Sequence, residues 1–313
     1  MLKQRSPLVG QSDSYAKLAV KTTLLSEQGH DVDKNGATAS LSTVPVHIAS
    51  LTKVGILSSL CGRNISVWEI SIRSDDPLIS DWARHFRQSY CEDSIIDQLR
   101  MGTDLTREDY LKTMVFPHAT QKPGPSIRSG DFAELLISDF LQYLQGFWVP
   151  RFKYQDKASP NESVKGSDII GFHQESPGAA SIKDTLVVCE VKAQLTGTKY
   201  NNRLQTAVAD SSKDIGQLRL ATTLNALKRR AVMGNMHDEV DLVTRFQKKV
   251  DSQFNLKSLA AVVLTEDLYE ATSISDVDCS AHANAHNLDL IIVKGKQLMQ
   301  LAHKLYEVAA SEA

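Results

Sequence analysis

The residues Leu186-Val187-Val188-Cys189-Glu190-Val191-Lys192-Ala193 constrain this chain more than any other stretch. A run of β-branched apolar residues this dense suits a strand covered on both faces. Yet it ends in Glu190-x-Lys192. Residues i and i+2 of a strand share a face, so Glu190 and Lys192 project together while Val187, Cys189 and Val191 line the other side. Charge on a buried strand is costly unless it is paired or used.

The neighbouring sequence supplies a third group. Residues 166–173 form a second predicted strand, and 175–184 read as a hairpin loop between the two. Antiparallel pairing about that loop sets Asp168 opposite a residue near Val191, to within a residue or two, because the loop fixes the register. Asp168 then lies across from Glu190 and Lys192, within reach of a shared ion. Two carboxylates completed by phosphate oxygens and water suit Mg²⁺, with Mn²⁺ as a substitute. A lysine beside the ion can orient or deprotonate a water.

The rest of the chain alternates strand and helix. Residues 64–72 alternate like a strand, and 79–99 carry Trp82, Phe86, Tyr90 and Ile95 at helical spacing. Residues 118–130 are rich in Pro, Gly and Ser, which places a boundary there. Phe132, Leu136, Phe140 and Leu144 then mark a helix that Gly146 ends, and 147–154 read as a strand with Pro150 at an edge or bulge. Residues 204–213 and 216–233 are predicted helices, 258–265 and 288–293 strands, and 297–308 a terminal helix. This order implies an α/β protein with a central mixed sheet flanked by helices. The boundary divides it into an N-terminal α/β domain, 1–120, suited to docking a partner, and a site-bearing domain, 121–313.

Composition excludes several classes. An apolar fraction of 42% and a charged fraction of 23% describe a folded chain, and a net charge of −2 argues against coating nucleic acid by bulk charge. The four cysteines are widely spaced, which points to a reducing, cytoplasmic setting. The first 17 residues hold no apolar run of signal-peptide length, and no segment approaches the roughly 20 apolar residues of a spanning helix.

The set Asp168, Glu190 and Lys192, with the element order from about residue 128, resembles the PD-(D/E)xK phosphodiesterase superfamily, although Ser167 stands where its Pro would be. The resemblance implies a restriction-endonuclease-like core, with Asp168 and Glu190 holding the metal and Lys192 assisting the water. It adds Glu134 on the first core helix, and more weakly Gln205. Asp131-x-x-Glu134 is also a capping-box pattern, in which Glu134 would only cap a helix. The succession of residues 128–136, 149–154, 165–172 and 190–193, with 81–90 upstream, is similar to the HamA-like nuclease subunit of the Hachiman anti-phage system. That likeness implies DNA as target, a helicase partner and a defence role. Arg151 and Lys153, on one predicted strand face, are the expected nucleic-acid contacts, ahead of Lys165, Lys199 and Arg203.

Other readings compete. Cys279-x-x-His282-x-x-x-His286 has metal-ligand spacing but no evident fourth ligand for zinc. Ser50-x-x-Lys53 matches the nucleophile motif of serine acyl-transfer enzymes, but Lys294-Gly295-Lys296 replaces the expected Lys-Thr-Gly, and Ser50 reads better as a helix N-cap. Lys228-Arg229-Arg230 suits a helix C-terminus. The fold could also serve as a non-catalytic nucleic-acid or helicase docking module.

Overall fold

A computed structural model describes residues 44–164, 166–176, 178–215, 218–248 and 253–313. The first 17 residues, Lys165, and Gly216 with Gln217 at the start of a predicted helix therefore lie outside the described residues. One mixed sheet organises the rest. Its strands are β1 (Leu51–Ser58), β2 (Asn64–Ile70), β3 (Ile169–His173), β4 (Thr185–Gln194), β5 (Asn255–Thr265) and β6 (Leu288–Gly295). They run in the order β1-β2-β6-β5-β4-β3. The two edge pairs are antiparallel and the central ones parallel.

Helices cover both faces. On one lie α1 (Val46–Ala49), α2 (Ile79–Tyr90), α3 (Gly124–Asp139) and, at the chain end, a helix over Leu298–Ser311. They bury Trp82, Phe86, Phe132, Leu136 and Leu305 against Val187, Cys189 and Val191 of β4. After the short α4 (Phe152–Gln155), the other face carries α5 (Arg203–Ser211), α6 (Leu218–Met233) and α7 (His237–Gln247). There Leu204, Ala207 and Val208 cover Ala260 and Val262, while Leu224, Val243 and Phe246 cover Ile170, Leu186 and Val188. The central strands are covered on both sides, as parallel strands require. Among the described residues no helix is long and apolar enough to cross a membrane.

Several expectations need correction. The described residues do not divide near 118–130. Val44–Ala313 form one compact unit, and β2 pairs along its length with β6. The helix expected over 79–99 stops at Tyr90, where Cys91 is extended and Asp93 turns back to hold the Arg87 guanidinium at 2.7 and 2.9 Å. Residues 147–154 are not a strand. Trp148 makes one bridge to Phe172, and Phe152–Gln155 is helical. Pro150 supplies no N–H, so the ladder cannot continue past it. Ser50 follows α1 instead of capping a helix start, its hydroxyl donates to the His47 carbonyl at 2.7 Å, and Lys53 is exposed on β1. The acyl-transfer motif therefore has no helix to sit on. β1 and α7 were not expected. Gly146, at φ +72°, ends the first core helix as anticipated.

Candidate active site

The β3–β4 hairpin builds the site. Ile169 pairs with Cys189, one residue from the register expected from the loop. The Asp168 carboxylate (Oδ2) accepts a hydrogen bond from the Val191 amide at 2.9 Å. Asp168, Glu190 and Lys192 come together on the face covered by α5 and α6. Glu190 is only 3% exposed. Its Oε1 accepts from the Lys192 ammonium at 2.7 Å and its Oε2 from Arg219 at 3.2 Å. Lys192 also meets Asp210 at 2.8 Å. Burial alone would depress the Lys192 pKa, but Asp210 and Glu190 raise it above its ordinary value. Burial pushes the Asp168 carboxyl up to about 6, with the Glu190 charge adding to it against Lys153 and Lys192.

Glu134 is not a cap. Its helix begins at Gly124, so both Asp131 and Glu134 sit in the interior. Asp131 takes hydrogen bonds from the Tyr90 hydroxyl at 2.6 Å and from Lys157. Glu134 takes them from Lys153 and from the Tyr154 hydroxyl at 3.0 Å. Lys153 also donates to the Asp168 carbonyl at 2.6 Å, so it ties Glu134 to the start of β3. Burial first, then Asp168, raises the Glu134 pKa.

The two expected phosphate contacts do not share a strand face. Lys153 is held as just described. Arg151 donates to Gln142 at 2.6 Å and to Asp139, so both side chains are already engaged by protein oxygens. Gln205 lies away from the cluster, in a pair of hydrogen bonds with the Asp278 backbone at 3.0 and 2.8 Å. The Cys-His-His spacing does not close into a zinc site among the described residues. Cys279 Sγ lies 3.2 Å from Cys61 Sγ, His282 Nε2 lies 3.0 Å from the Ser211 hydroxyl, and His286 is exposed.

Three site residues escaped the sequence reading: Asp210, Asp214 and Arg219. Ser167 donates to Asp214 at 2.7 Å, and Arg219 approaches Asp214 at 3.4 Å and the Gly166 carbonyl at 2.9 Å. A signal existed for Asp210. It sits in the last turn of α5, where the helix dipole disfavours an acid unless a cation meets it.

The donor set can be tested for a cation. Five carboxylates (Glu134, Asp168, Glu190, Asp210, Asp214) meet four cations (Lys153, Lys192, Lys213, Arg219). No third His, Cys, Asp or Glu donor atom converges with those of Asp168 and Glu190 among the described residues. Such a set fits Mg²⁺, which keeps waters, better than a metal that needs a full protein cage.

Comparison with known proteins agrees with the HamA-like resemblance read from the motifs. No curated protein matches the chain. The family model for HamA matches residues 47–309, a span that includes Glu134, Asp168, Glu190 and Lys192. The chain thus belongs to the HamA family, whose name attaches to a component of the Hachiman anti-phage system.

Proposed function

We propose that this chain is a metal-dependent nuclease that hydrolyses DNA phosphodiester bonds and works beside a helicase. One observation carries the reading: Asp168, Glu190 and Lys192, from two strands, project to one face with Lys192 fixed between Glu190 and Asp210. Mg²⁺, or Mn²⁺ in its place, held by Asp168 and Glu190, would neutralise charge that builds on the phosphate in the transition state. Lys192 enters as an ammonium, because its pKa is raised. Its role is then to orient water and stabilise negative charge, not to remove a proton. Arg219 donates to one oxygen of Glu190, leaving the carboxylate shared between it and Lys192. Asp214 also pairs with Arg219 at 3.4 Å, and its Oδ2 is buried without a hydrogen-bond partner among the described residues. Glu134 holds Lys153 against the Asp168 backbone and so positions the start of β3.

The test is cleavage of DNA by the purified chain with and without Mg²⁺, alone and with the helicase. Glu190→Ala and Lys192→Ala should each lower cleavage by about 10²–10³-fold or more, with circular dichroism unchanged. Cleavage at the original rate by either variant sinks the site assignment. No cleavage under any condition would leave the fold as a docking module.

A further inference from the structure

A cavity of about 510 Å³ opens beside the Asp168 carboxylate. It lies between α4, Val164, residues 166–168 and α6. Its size is that of a small-molecule site, commonly about 300–1,000 Å³. Phe152, Ile170, Ala226 and Leu227 give it an apolar floor, and Lys153, Arg219, Arg229 and Arg230 supply cationic groups around it. Arg230 extends its guanidinium over the Phe152 ring, 5.9 Å from the centroid, and pairs with Asp156 at 2.7 Å. Arg229 is exposed and makes no ion pair or hydrogen bond among the described residues.

A duplex does not need such a cavity. Paired bases cover each other's faces and show a protein only their edges and phosphates. An apolar wall with an aromatic ring and an arginine plane suits the exposed face of an unstacked base, while nearby cations suit its phosphate. The catalytic cluster shares Asp168 and Arg219 with this cavity, so a nucleotide seated there would lie next to the scissile position.

We infer that the cavity is a subsite for one unpaired nucleotide, its base against Phe152 and Leu227 and its phosphate towards Arg219 and Arg229. This deepens the nuclease reading, on which it rests for its consequence: cleavage beside single-stranded or flipped-out DNA.

Binding separates the two claims. Fluorescence anisotropy of the full chain, without added metal, would compare a single-stranded oligonucleotide with a blunt duplex of the same sequence. The single strand should bind at least about ten-fold more tightly. Ala226→Trp fills the cavity from an exposed position on α6, and Phe152→Ala removes the ring. Each should weaken single-strand binding about ten-fold and leave duplex binding unchanged. Glu190→Ala should keep the single-strand preference, so loss of cleavage alone does not touch the subsite. Equal affinity for both DNA forms, or unaltered single-strand binding by folded Ala226→Trp, overturns the inference and leaves the cavity to a protein segment.

Discussion

Two buried charge clusters lie on opposite faces of the sheet, and their balance differs. On the α3 side, Asp139 receives His47 Nε2 at 2.8 Å, His85 Nε2 at 3.0 Å and the Arg151 guanidinium. Burial works against its charge, yet Arg151, His47 and His85 hold the carboxyl well below its ordinary range. His47 also stacks on Trp82 at 4.6 Å. One anion meets three donors, and the arrangement fastens α1, α2 and α3 together. On the α5–α6 side, Glu190 pairs with Lys192 and Arg219, while burial first and then the Glu190 charge push Asp168 up to about 6. The first cluster neutralises its one anion, although His47 Nδ1 and Arg151 Nε are buried without a hydrogen-bond partner among the described residues. His47, His85 and Asp139 also lie close enough together to offer a cation three ligand atoms. The second brings two buried carboxylates together, and a carboxyl with a raised pKa is more characteristic of a functional site than of a brace.

Substitution should separate them most sharply. Asp139→Asn strands Arg151 in the interior and should cost about 3–5 kcal/mol, read as a fall in denaturation midpoint. Asp168→Asn removes a charge that burial disfavours and should stabilise the fold at neutral pH, by up to about 3 kcal/mol, while cleavage disappears. A brace at Asp168 would show itself as a loss comparable to that of Asp139→Asn.

The pH dependence should have opposite sign at the two places. Folded Asp168 holds its proton more tightly than the unfolded chain does, so between about pH 4 and 6 stability falls as pH rises, by up to about 3 kcal/mol. Asp139 has a depressed pKa, so its contribution is present above about pH 4 and fades as pH falls below that. Melting temperatures from pH 3 to 7 should show the decline made shallower by Asp168→Asn and the acid limb softened by Asp139→Asn. Asp131, Glu134 and Asp214, whose pKa values are also raised by burial, supply the remainder of the decline. An unchanged slope in Asp168→Asn would show that Asp168 does not hold its proton more tightly in the folded chain.

A smaller effect concerns the metal. Arg219→Ala frees one oxygen of Glu190 and should lower the Mg²⁺ concentration for half-maximal cleavage about five-fold, the worth of a partly exposed ion pair. An unchanged requirement would show that Arg219 does not compete with the cation for Glu190.

Much of the site was legible because it depends on local periodicity. Alternation along β4 put Glu190 and Lys192 on one face, and hairpin counting put Asp168 within one residue of its observed register. Glu134 illustrates the limit. Its pattern with Asp131 looked like a cap, and only the start of the helix at Gly124 decided otherwise. Arg151 and Lys153 misled for a related reason: a short apolar stretch with Pro150 reads as strand until its pairing partner is known.

By itself the sequence determined which segments alternate, where the paired acid and lysine fall, and hence the α/β class and the charged groups that share a face. These follow from side-chain direction along a strand or helix, which is fixed by backbone geometry. The tertiary structure alone decided that β1 and β2 extend the same sheet, that Arg219 and Asp210 close on Glu190 and Lys192, and that a cavity opens beside Asp168. Those outcomes join residues 18 to more than 200 positions apart, and no local pattern records which distant charge will compensate a buried one.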